Sequence, residues 1–151
     1  MKRAQRLKMV QSVVEDQERR RAEQLARAEK KVSECEARLT ELETYQTSYS
    51  REFSTRARNG IGAVGLRDFQ SFLAKLSEAI RQQTQVVFRA RTERDADRRI
   101  WQAAAQRAEA LNRIVKRWQT EEHRNLERSE QRESDERAQR NLTGEIHARG
   151  L

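Results

Sequence analysis

Proline is absent from all 151 residues, where ordinary usage would place about seven. Disordered chains tend to be enriched in proline and helix interiors exclude it, so this charge-rich chain reads as helix rather than disorder. Glycine is nearly as scarce, five in all, and three of the five fall within residues 60–65. The lone cysteine, Cys35, excludes an intramolecular disulfide and fits a reducing compartment. Aromatics make up 5% and all hydrophobic residues only 35%. That is too little to fill a compact globular core, because apolar burial must offset chain entropy. No apolar run approaches the ~20 residues of a membrane span. The N-terminal MKRAQRLKMVQSVVEDQERRR has no apolar centre of roughly 7–15 residues, so it does not read as a secretory signal.

What the chain has in abundance is charge, 37% of its residues, with Lys and Arg exceeding Asp and Glu by eight. The excess is +4 over residues 1–40, zero over 41–80, +6 over 81–117 and −2 over 118–151. It therefore avoids the glycines and points toward acidic partners for the outer flanks. The flanks are rich in Ala, Arg, Glu, Gln and Leu, all good helix formers.

Two apolar seams run through them at alternating spacings of four and three, the register of a coiled coil. The first follows Leu7, Gln11, Val14, Glu18, Arg21, Leu25, Ala28, Val32, Cys35, Leu39, Leu42, Gln46, Tyr49 and Phe53. The second restarts after the glycines: Leu66, Phe69, Leu73, Leu76, Ile80, Gln83, Val87, Ala90, Arg94, Asp97, Trp101, Ala104, Ala108, Leu111, Val115 and Trp118. Neither seam is buried alone, so the spacing predicts an all-α, antiparallel two-helix coiled-coil hairpin. Its helices would span about 5–57 and about 66–125, with a turn at about 58–65 and a polar, frayed or mobile tail over 126–151. A continuous parallel dimer is the alternative, but it would set three glycines mid-helix at roughly 1 kcal/mol each. Folding about residue 60 brings Arg21 toward Asp97, Arg98 and Trp101, where a charge pair could fix the register.

Gly60, Gly62 and Gly65 spell G-x-G-x-x-G. As a dinucleotide fingerprint that motif must follow a strand, and here a helical pattern precedes it. It reads instead as a helix end and turn, with Asn59-Gly60 supplying left-handed backbone. His123 and His147 stand 24 residues apart in the most polar region, and Cys35 falls on the seam. Neither pattern makes a metal or nucleophilic centre, and a two-helix hairpin offers no cleft to exclude water. The expectation is no catalytic, cofactor-binding or metal-binding residue. Nucleic acid is the natural partner to consider for a basic chain, but acidic residues are interspersed and aromatics for base stacking are missing. No nucleic-acid partner is expected, and a basic structural coiled coil that binds nucleic acid or scaffolds other proteins is kept as the alternative.

One apolar feature is not explained by the seams. Phe72 and Ala79 lie one residue off the second seam and, with Leu76, form a line at i, i+4, i+7 on one helical face. Either Tyr45, Tyr49 and Phe53 cover this widened stripe, or it is a docking patch.

The run ELETYQTSYSREF, the NG turn and LRDFQSFLAKLSEAIRQQ resemble the flagellar export protein FliJ family. The features that carry the resemblance are Leu39, Leu42, Tyr45-Gln46, Tyr49, Gly60, Phe69-Gln70, Phe72, Leu76 and Ala79-Ile80. It implies a rotary-ATPase-stalk-like coiled coil, not an enzyme and without cofactors, in the cytoplasm and peripheral on the membrane at the flagellar base. The implied partners are the hexameric flagellar export ATPase, the export gate protein FlhA and flagellar substrate chaperones. Phe72, Leu76 and Ala79 match the family's gate-binding stretch. Leu25, Val32, Leu39, Leu42, Phe69, Leu73, Ile80 and Leu111 are expected in the seam. Virulence-type secretion stalks share the architecture, and the Tyr-Gln and Phe-Gln pairs favour the flagellar branch.

Overall fold

A computed structural model describes residues 2–150. It consists of two helices, α1 (Arg3–Arg58) and α2 (Ala63–Arg149), with no strand among the described residues. They divide between two compact units, one of residues 15–105 and one of residues 2–14 with 106–150.

Within residues 15–105 the helices run antiparallel, as a series of cross-helix bonds records. The Gln46 amide donates to Ser77 Oγ at 3.0 Å, Gln83 Nε2 to the Cys35 carbonyl at 3.0 Å, and Trp101 Nε1 to Glu18 Oε1 at 2.8 Å. As numbers rise along α1 they fall along α2. The buried side chains are Ala28 and Val32 on α1, and Phe69, Leu76, Val87, Ala90 and Ala104 on α2. All are seam positions. The other apolar residues expected there, Leu25, Leu39, Leu42, Leu73 and Ile80, are half-buried, as a two-helix interface leaves them. No polar or charged side chain is buried among the described residues. Instead charge lies along the rims: Lys31–Glu93 at 3.2 Å, Arg91–Glu36 at 2.9 Å and Arg98–Glu29 at 3.8 Å. Exposed pairs of this kind are each worth only about 0–1 kcal/mol, so the apolar seam supplies most of the stability.

The polar step in the seam differs from the expected Arg21 pairing. Arg21 is exposed and makes no ion pair among the described residues, and Arg98 turns to Glu29. Glu18, one turn earlier, faces Trp101 instead. The indole nitrogen can only donate, and a carboxylate satisfies it where a guanidinium cannot.

The connection occupies residues 59–62. Gly60 holds φ at 89°, the only positive φ among the described residues. Asn59 N–H closes α1 on the Thr55 carbonyl at 3.3 Å, and Leu66 N–H opens α2 on the Gly62 carbonyl at 2.9 Å. Gly65 is helical; a Cβ there would stand 2.9 Å from Ile61 Cγ1, so its bareness admits the Ile61 side chain. Gly60 and Gly62 thus lie in the connection between the two helices, and Gly65 in the first turn of α2.

In the other unit, Gln11 Nε2 donates to Asn112 Oδ1 at 2.6 Å, and the Arg3 guanidinium lies 6.0 Å from the Trp118 ring. Val115 is buried there, while Leu7, Val14 and Leu111 are half-buried. From Gln119 to Gly150 every residue is exposed, although α2 continues to Arg149 through the stretch read from sequence as a polar tail. That stretch touches no seam; it is carried by i,i+4 pairs such as His123–Glu127 and Arg140–Glu136.

Candidate functional site

The aromatic side chains gather near the turn. Tyr45, Tyr49 and Phe53 follow one another at i, i+4, i+8 and so share one face of α1. Phe69 and Phe72 meet them from α2. Tyr49 is central, its ring centroid 4.5 Å from Phe72 and 4.9 Å from Phe69. Phe53 packs on Phe69 at 5.3 Å, and Tyr45 meets Phe72 edge-on at 6.0 Å. Every phenylalanine and tyrosine of the chain except Phe88 is in this cluster. Tilted and edge-to-face rings at these separations attract one another beyond simple area burial, by about 0.5–1.5 kcal/mol per pair. The Arg56 guanidinium adds a cation–π contact, 5.4 Å from the Phe69 ring.

The three residues singled out as a stripe occupy one face of α2 but differ in exposure. Leu76 is 7% exposed and belongs to the core. Phe72 and Ala79 are half-buried. Tyr45 leaves 52% of its surface in solvent beside Phe72. The stripe therefore leaves parts of Phe72 and Ala79 open to solvent beside the Tyr45 ring, while Leu76 is buried. Tyr45 was legible only as a cover for Phe72, because a period of 3.6 gives its face and not its depth.

Charge frames this surface. Arg81 holds Glu78 through two hydrogen bonds of 2.9 and 2.6 Å, with Gln82 donating to the same carboxylate at 3.3 Å. The Arg81 hydrogen bond holds the Glu78 carboxyl below its ordinary value and raises the guanidinium in return. Both groups are open to water, so the pair orients side chains beside Ala79 and contributes little stability. Among the described residues no group of three or more His, Cys, Asp or Glu side chains could hold a metal ion.

A second surface escaped the seam reading. In the unit of residues 2–14 and 106–150, Met9, Val10, Val13 and Ile114 are exposed. Lys2, Arg3, Arg6 and Lys8 surround the α1 members with no acidic residue before Glu15. Between residues 106 and 117, α2 carries Arg107, Arg113, Lys116 and Arg117 against Glu109 alone, which Arg113 binds at 2.6 Å. The signal was present as four apolar positions just off the seam, in the most basic part of the chain.

The family model for the flagellar FliJ protein matches residues 1–145, both helices together and not merely the stretch around the turn. The chain belongs to the flagellar FliJ family. No curated protein and no solved structure matches it. As a FliJ family member it is a component of flagellar protein export, a type III secretion process, and it works with the export apparatus. The flagellar branch is thereby preferred over virulence-type stalks. No helix among the described residues is long and apolar enough to cross a membrane.

Proposed function

We propose that this FliJ-family chain is the central stalk of the flagellar export ATPase ring, and that it does no chemistry of its own. One end of the coiled coil seats in the ring, the Phe72 stripe engages the export gate protein FlhA, and substrate chaperones are handled on the way. The observation that carries this reading is the family match over both helices combined with an antiparallel pairing of one copy of the chain. A single hairpin has no six-fold symmetry, so it can distinguish the subunits of a hexameric ring in turn; that step rests on the likeness to rotary stalks.

The charge distribution supports the same assignment of ends. The basic, apolar-spotted surface of residues 2–14 and 106–117 suits an acidic ring lining. The aromatic cluster suits a gate contact, because Phe72 and Tyr45 are rigid rings that lose little conformational freedom on binding. Such a protein acts in the cytoplasm, peripheral on the membrane at the flagellar base.

Addition of the chain to the flagellar export ATPase should promote ring assembly or raise hydrolysis. An ATPase that neither assembles nor accelerates would overturn the stalk assignment. The same basic surface is the one feature that favours a nucleic-acid reading. Gel shifts that persist at about 150 mM salt would support it, whereas loose charge attraction fades there.

A further inference from the structure

We propose that the bend of the hairpin, residues 60–66, is a membrane-touching tip that inserts shallowly into an anionic lipid surface. Local composition sets the bend apart. In a chain with 37% charged residues, GIGAVGL contains none. Its side chains are not spent on the core: Val64 is 74% exposed and Leu66 36% exposed, while Ile61 is half-buried against Gly65. The nearest charge on either side is an arginine, Arg58 before it and Arg67 after it. Between Glu52 and Asp68 the chain carries Arg56, Arg58 and Arg67 and no acidic residue. Glu52 is held by Arg56 at 3.1 Å, and Arg58 and Arg67 make no ion pair among the described residues. Arg51 and the exposed Asp68 complete the charged groups around the bend.

Layering decides the kind of partner. Arg67 directly follows Leu66, and Arg58 stands two residues before Gly60. An interfacial element buries its apolar side roughly 5–10 Å into the headgroup and acyl boundary, which leaves such a collar among the phosphates. Guanidinium groups bind phosphate oxygens through paired donors. The bend joins the end of α1 to the start of α2 and leaves Val64 and Leu66 exposed there. A lipid surface needs only apolar matter outermost and positive charge behind it. The inference is independent of the ring and gate contacts proposed above, which use other residues.

The test is co-sedimentation of the full chain with vesicles of phosphatidylcholine alone, and with roughly one-third phosphatidylglycerol, at about 150 mM salt. The chain is expected to pellet with the anionic vesicles and not with the neutral ones. Val64→Glu should lower the partition coefficient about tenfold, since an apolar contact is lost and a repelled charge added. Its fold should survive, because glutamate is favourable in the first turn of α2. Arg58→Gln with Arg67→Gln should lower it roughly thirtyfold, at about fivefold per arginine. Val64→Trp should add emission that brominated lipid quenches, beyond the response of Trp101 and Trp118 in the parent. Lys2→Gln, Arg3→Gln, Arg6→Gln and Lys8→Gln together should leave the Val64→Glu effect in place. Val64→Glu binding as tightly as the parent would overturn the proposal, and so would binding abolished by the four N-terminal changes alone. Absence of vesicle binding, with motility still lost in Val64→Glu, would mean that the bend docks on a protein and would equally overturn it.

Discussion

The ring of Tyr49 on α1 lies 4.5 Å from the ring of Phe72 on α2, inclined by 50°. This contact ties the proposed gate surface to the packing of the hairpin itself. The stripe is therefore a half-embedded face, and substitutions in it act on stability and on docking in different proportions.

Tyr49→Ala should lower the unfolding free energy by roughly 1–3 kcal/mol, because contacts to both Phe69 and Phe72 go with it. Tyr49→Phe keeps the ring and should melt within a few degrees of the parent. Thermal unfolding followed by circular dichroism reads both.

Phe72→Ala should abolish or severely reduce swimming while helicity stays near the parent's. Leu76→Ala should reduce swimming as well, but with a loss of about 2–5 kcal/mol in stability, as Leu76 is a core residue. Wild-type swimming by a well-folded Phe72→Ala, Leu76→Ala double variant would rule out docking through this face.

The three glycines should separate cleanly in a melting series. Gly60→Ala forces φ of 89° on a residue with a Cβ and should be destabilising by about 1–2 kcal/mol. Gly62→Ala meets nothing within 4 Å and should be close to neutral. Gly65→Ala should fall between them, since Ile61 must move aside. Equal effects at all three would contradict the assigned roles.

Removal of the seam hydrogen bond by Trp101→Phe should be destabilising by about 1 kcal/mol. Adding Glu18→Leu should restore part of that loss, because the carboxylate no longer sits half-buried without its donor. A strictly additive double-mutant cycle would show that the two groups do not interact.

We propose that the stretch 126–149 opens far more readily than the seam. Its amides should exchange with deuterium orders of magnitude faster than those around Val32 and Val87, because only local pairs support it. Protection equal to that of the seam would refute this and imply a partner surface along the tail.

Much of this was legible in order of residues. The absence of proline, the two seams and the single glycine cluster specify two helices and one reversal, and the buried set from Ala28 to Ala104 falls on the seam positions. The Phe72 stripe was visible as a second line beside the seam. Its depth was not, since burial depends on where Tyr45 and Tyr49 rest their rings across the interface. Arg21 was misplaced for a similar reason: Glu18 and Arg21 both lie on the seam, and which one meets Trp101 depends on a stagger of one turn.

Periodicity, propensity and charge act locally, so the sequence alone determined the helical class, the position of the bend and the basic outer flanks. Stagger and ring packing are settled only when two distant segments compete for the same volume. The tertiary structure thus decided that Glu18 and not Arg21 faces Trp101, and that Tyr45 and Val64 are left to solvent.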